Sequence, residues 1–95
     1  MLLENDVALI TGAGNGIGRA TAVRFAKEGA KVVLADVDEA GLAETKSLVE
    51  AAGGEATVAM GSVASREDVQ AMVETAVSTY GKLSILINNA GITRD

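Results

Sequence analysis

The sequence predicts an α/β fold in three layers, α/β/α, with one parallel sheet covered by helices on both faces. Three observations carry this. Short apolar runs alternate with longer stretches of helical spacing, giving the order β-α-β-α-β-α-β. The runs are continuously apolar, as strands buried on both faces must be. Glycine or an acidic residue punctuates the junctions, and no proline breaks any element.

The first run, Val7 to Thr11, leads through a glycine-rich turn into a helical stretch from Ile17 to Glu28 that Gly29 closes. Lys31 to Asp36 is the second strand, and roughly Glu39 to Ala52 is the second helix, ended by Gly53 and Gly54. Ala56 to Met60 reads as the third strand. The third helix has the clearest pattern: Val69, Met72, Val73, Ala76, Val77 and Tyr80 recur at three- and four-residue spacing on one face. Ser65, with Glu67 and Asp68 in the first turn, marks its start. Gly81 marks its end. Leu83 to Asn88 is the last strand. Right-handed crossovers put the first two helices on one face and the third on the other if the fourth strand returns beside the first. The sheet order is then 3-2-1-4, with a switch point between strands 1 and 4. Residues 1–95 suit a single domain.

Composition excludes several kinds of chemistry. Without cysteine or histidine, disulfides, thiolate chemistry, Cys/His metal sites and Ser-His nucleophiles are all ruled out. A net charge of −5 argues against nucleic acid and anionic membrane as partners. No apolar run is long enough for a membrane span, and the first residues lack a basic leader, so a cytoplasmic location is the default. Phe25 and Tyr80 are the only aromatics, so the core must be aliphatic.

Chemistry concentrates between the first strand and the first helix, in Thr11-Gly12-Ala13-Gly14-Asn15-Gly16-Ile17-Gly18. A tight turn there that lets a phosphate approach backbone N–H groups has no room for Cβ atoms. The helix start behind it offers free N–H donors and partial positive charge. The bland reading is a glycine-rich turn with no ligand. The spacing is T-G-x-x-x-G-x-G, through Thr11, Gly12, Gly16 and Gly18, not G-x-G-x-x-G.

Asp36 ends the second strand roughly 20 residues beyond this loop, where Rossmann-like folds carry the acid that binds the adenosine ribose. It could instead cap the next helix, with Glu39 three residues on, although Asp38 can take the cap. A carboxylate at the ribose discriminates between cofactors. Two like charges ~4 Å apart at an effective dielectric of ~20 repel by about 4 kcal/mol, which disfavours the 2′-phosphate of NADP and favours NAD. Neither Asn15 nor Val37, the neighbours that could offset this, is basic.

The glycine signature resembles that of the short-chain dehydrogenase/reductase family, and so does Asn88-Asn89-Ala90-Gly91 after the fourth strand. The resemblance spans essentially the whole chain. It implies a Rossmann-like dinucleotide-binding fold, with Gly12, Asn15, Gly16, Ile17 and Gly18 around the pyrophosphate and Asp36 and Val37 at the ribose. Ser62 and Val63 would border the adenine, with Ser62 standing where the family usually has Asp. The asparagines would tie the central strands together, and Asn89, Ala90 and Gly91 would lie along the cofactor. The residues from Asn88 to Asp95 resemble most the 3-oxoacyl-(acyl-carrier-protein) reductases and acetoacetyl-coenzyme A reductases, which implies reduction of a 3-oxoacyl thioester or similar carbonyl.

The family's catalytic Tyr-x-x-x-Lys pair lies downstream of these motifs. Tyr80 and Lys82 are two residues apart with Gly81 between, so they do not share a helix face. No catalytic group is assigned, and the chain alone is expected to be inactive. Three readings of its role follow: an NAD-binding fragment of an oxidoreductase, an oxidoreductase assembled in trans with a separate chain, or a self-assembling fold fragment with an empty cofactor site. The fourth strand, apolar and without a protective charge, is expected to pair with its copy in a two-fold homodimer.

Overall fold

The computed structural model describes residues 2–89. Four strands, β1 (Val7–Thr11), β2 (Lys31–Asp36), β3 (Glu55–Met60) and β4 (Ile85–Asn88), alternate with three helices, α1 (Gly16–Lys27), α2 (Glu39–Ala51) and α3 (Arg66–Tyr80). The sheet is wholly parallel, in the order β3-β2-β1-β4. This is a Rossmann-like α/β fold.

Period-two alternation sorts the strand residues into two cores. Ala8 and Ile10 of β1, with Val32 and Leu34 of β2, pack beneath α1 and α2 against Ala22, Ala26, Leu42 and Val49. Val7, Leu9, Val33 and Ala35 point the other way, onto Met72 and Ala76 of α3. All five residues of β1 are buried, which accounts for its lack of any polar–apolar alternation. The outer strands are less covered. On β4, the outermost strand beside β1, Leu86 is 60% exposed.

Of the third-helix face, Met72 and Ala76 are buried and Val73 and Tyr80 partly so, while Val77 lies on an exposed flank. The Tyr80 hydroxyl hydrogen-bonds Thr57 Oγ1 at 2.8 Å. Burial raises the phenol pKa above 10.0, the Thr57 hydrogen bond opposes this, and the Glu55 carboxylate adds to it. Because α3 runs antiparallel to the strands, its 15 residues carry Tyr80 about 22 Å from the helix start, to the amino-terminal edge of the sheet.

Most element ends agree with the sequence to within a residue. The start of β4 differs: Leu83 and Ser84 precede the strand. Ser84 Oγ accepts the Val7 N–H at 2.9 Å, so a side chain stands where a ladder carbonyl would, and regular pairing begins at Ala8 with Ile85. No helix among the described residues is long and apolar enough to cross a membrane.

Candidate dinucleotide site

Parallel strands deliver their following loops to one end of the sheet, so the loops after β1, β2 and β3 meet. They enclose a cleft of about 250 Å³ lined by Thr11, Gly12, Ala35, Asp36, Val37, Gly61, Ser62, Val63 and Met72.

The loop after β1 is shaped by crowding. A Cβ on Gly18 would collide with the Gly12 carbonyl oxygen, and one on Gly14 would stand 2.8 Å from Asp36 Oδ2. Gly12 (φ 64°) also turns the chain in a way that side chains resist. Asn15 precedes α1 in extended conformation, and its side chain makes no capping hydrogen bond. The first turn of α1 also lacks acidic residues. Its N–H donors therefore face the end of the sheet with neither a cap nor a charge to satisfy them. Gly16 and Ile17 open the helix, and Ile17 is 66% exposed beside this turn.

Asp36 does not cap α2. Asp38 does so, accepting the Gly41 N–H at 3.0 Å. The Asp36 carboxylate accepts the Gly14 N–H at 2.8 Å through Oδ2, and through Oδ1 the Val37 N–H at 2.7 Å. It is thereby fixed at the cleft rim, bonded on one side to the glycine loop. Val37 is 65% exposed next to it.

After β3, the Ser62 N–H donates to Asp68 Oδ2 at 2.9 Å, and Ser62 Oγ accepts the Ala64 N–H at 3.1 Å. Both are local turn contacts. Val63 is half exposed at the cleft. After β4, Thr11 Oγ1 donates to Asn88 Oδ1 at 2.9 Å and accepts the Asn89 N–H at 3.1 Å, joining the two central strands at their ends. Asn89 Nδ2 is buried and has no acceptor among the described residues. Ala90 and Gly91 lie outside the described residues.

Four residues beyond the sequence-based set belong to this constellation. Gly14 and Asp68 bond Asp36 and Ser62 directly. Arg19 and Thr45 bond the glycine loop from behind: Arg19 Nη2 donates to Gly14 O at 2.6 Å, and Thr45 Oγ1 to Ala13 O at 2.7 Å. A fully buried threonine on an otherwise aliphatic helix face was the one available signal for Thr45.

A larger cavity, about 740 Å³, is the open groove between α1 and α2, lined by Val23, Arg24, Lys27 and Leu48 and reaching Gly16 and Arg19 at one end. It is shallow and mostly apolar, with Arg19, Arg24 and Lys27 but no carboxylate among its lining residues. Among the described residues, no cluster of three or more acidic side chains could hold a metal. The strand-end cleft offers three features together: backbone donors for an anion, a fixed carboxylate for hydroxyl groups, and an apolar wall for a flat ring. That combination suits a nucleotide.

Comparison with known proteins agrees. The family model "short chain dehydrogenase" matches residues 6–95. An uncharacterised oxidoreductase of Thermotoga maritima is 48% identical over 92 residues, covering 97% of this chain and 36% of that protein. The 3-oxoacyl-(acyl-carrier-protein) reductase of the same organism is 42% identical over 95 residues, covering 100% of this chain and 39% of that protein. Among solved structures, a hydroxysteroid dehydrogenase from Escherichia coli superposes with a TM-score of 0.90 at 37% identity, over 94% of this chain and 38% of that one. The chain thus spans less than two-fifths of the length of these relatives.

Proposed function

The chain belongs to the short-chain dehydrogenase family, and from that premise we propose that it is the NAD-binding part of an oxidoreductase acting on a 3-oxoacyl thioester or a similar carbonyl. The observation that carries the cofactor part is the Asp36 carboxylate at the rim of the strand-end cleft, bonded to the Gly14 N–H. The likeness to a 3-oxoacyl-(acyl-carrier-protein) reductase supports the substrate class.

The residues present fit a dinucleotide. Gly14 and Gly18 let the loop close against Asp36 and Gly12, the side of Gly16 where a Cβ would stand meets no protein atom within 4 Å, and the uncapped start of α1 holds N–H donors at the same end. Gly12, Asn15, Gly16, Ile17 and Gly18 would hold the pyrophosphate, since aligned N–H groups and the helix dipole favour an anion there. Asp36 would accept the adenosine ribose hydroxyls, with Val37 beside it. Val63 would pack on the adenine, with Ser62 next to its edge, and Asn89, Ala90 and Gly91 would follow the second ribose. When bound, the nicotinamide supplies or accepts a hydride. The chain's own contribution is binding, orientation and the choice between cofactors.

That choice is the test. A 2′-phosphate beside Asp36 meets a like charge, so calorimetric titration of this chain should find NAD binding more than about tenfold tighter than NADP. Asp36→Ala should narrow the gap. NADP binding as tightly as NAD to the unmodified chain would overturn the assignment of Asp36.

A further inference from the structure

Behind the glycine loop lies a continuous hydrogen-bond chain that no step of the proposed function uses. It begins at the Arg19 guanidinium. Nε donates to Thr45 Oγ1 at 2.9 Å, while Nη2 donates to Gly14 O at 2.6 Å and Gly41 O at 3.2 Å. Thr45 Oγ1, itself fully buried, donates onward to Ala13 O at 2.7 Å. Ala13 O and the Gly14 N–H are the two ends of one peptide unit, and that N–H donates to Asp36 Oδ2 at 2.8 Å. A peptide unit is planar and rigid, so it cannot turn at one end alone. Thr45 grips the carbonyl end and Asp36 accepts from the amide end.

Two consequences follow. Rotation of the Ala13–Gly14 peptide would swing the N–H away from Asp36, and Thr45 resists it. The chain also runs from a cation to a carboxylate with every donor pointing the same way, so each bond polarises the next. Glu44 holds the Arg19 head from the solvent side at 3.4 Å, leaving the guanidinium in place over the loop. No apolar side chain of similar shape at position 45 can replace this link, because the hydroxyl both accepts from Arg19 and donates to Ala13.

We infer that Arg19 and Thr45 are positioning residues for cofactor discrimination: through the Ala13–Gly14 peptide they fix the Asp36 carboxylate in the orientation that accepts a ribose diol and repels a 2′-phosphate. This rests on the assignment of Asp36 to the adenosine ribose. It also predicts that a residue wholly inside the protein, with no path to the ligand, alters which dinucleotide is preferred.

The test is titration of NAD and NADP into the unmodified chain, Asp36→Ala, Thr45→Val, Thr45→Ser and Arg19→Met, with thermal melts to verify folding. Thr45→Val keeps the shape and removes the hydroxyl. It should weaken NAD about fivefold, the scale of one lost hydrogen bond, and weaken NADP less, so that the NAD-to-NADP ratio falls. Thr45→Ser should restore the ratio, an outcome that a purely structural role for the buried side chain would not give. Arg19→Met should lower the ratio in the same direction, and it serves alone if Thr45→Val does not fold. An unchanged ratio in folded Thr45→Val or Arg19→Met, while Asp36→Ala narrows it, would overturn the positioning inference and leave the role of Asp36 intact. A loss of NADP affinity alone in Arg19→Met would instead make Arg19 a direct phosphate contact and overturn it too. If Asp36→Ala itself leaves the ratio unchanged, the assignment of Asp36 fails and the inference falls with it.

Discussion

At the start of α2, Asp38 bonds the Gly41 amide, and at the start of α3, Ser65 bonds the Asp68 amide; Asn15, at the same position of α1, makes no such bond. The contrast extends to charge. Glu39 lies in the first turn of α2, and Glu67 and Asp68 in that of α3, while α1 has no acidic residue there. All three helices begin at the carboxyl end of the sheet. Two of them satisfy one of their free donors with a side-chain cap, as helices inside a protein generally do. The third starts behind the glycine loop with neither a side-chain cap nor an acidic residue in its first turn. An incomplete helix start at that one place, next to a crowded loop and a fixed carboxylate, is the difference on which the proposed binding site rests.

The strongest way to break this contrast is Gly18→Ala. The new methyl group would collide with the Gly12 carbonyl, so loop and helix must part. We expect a loss of about 3 kcal/mol in urea unfolding, the upper range for forcing atoms into a packed site, together with loss of NAD binding. A stable variant with unaltered NAD affinity would show that the close approach of loop and helix is not needed.

A subtler pair sharpens it. Asn15→Asp places a carboxylate at the uncapped start, where it can bond first-turn amides and meet the helix dipole. It should stabilise the chain by roughly 0.5 kcal/mol yet weaken NAD about tenfold, because it competes with the pyrophosphate for the same donors. Ser65→Ala does the reverse at α3: a loss of about 1 kcal/mol in stability with NAD affinity unchanged. Equal effects of the two changes on binding would erase the distinction between the helix starts.

Much of this was legible in the sequence. The apolar runs marked β1 and β2 because both of their faces are buried, and the caps and glycines marked α3. The sheet order followed from crossover handedness. The glycine spacing located the crowded loop, since a Cβ at Gly18 would collide with the Gly12 carbonyl. The start of β4 was not legible, because Ser84 replaces a ladder bond through a tertiary contact with Val7. For Asp36, sequence alone left capping and ribose binding both open; Asp38 as the observed cap removes the first. Arg19 and Thr45 were missed for a related reason. Thr45 meets Ala13 O and the Arg19 guanidinium only when α2 packs against the loop and α1, and the Arg19 bond to Gly14 O spans five residues with no motif to mark it.

The measurement that tests the central claim most directly is the map of backbone amide chemical shifts as NAD is added to the isotopically labelled chain. The largest changes are expected at Gly12, at Asn15 to Gly18, at Asp36 and Val37, and at Ser62 and Val63. Lys31, Tyr80 and Lys82, at the opposite edge of the sheet, should stay unchanged. Changes concentrated instead at Val23, Arg24, Lys27 and Leu48, along the larger groove between α1 and α2, would contradict it.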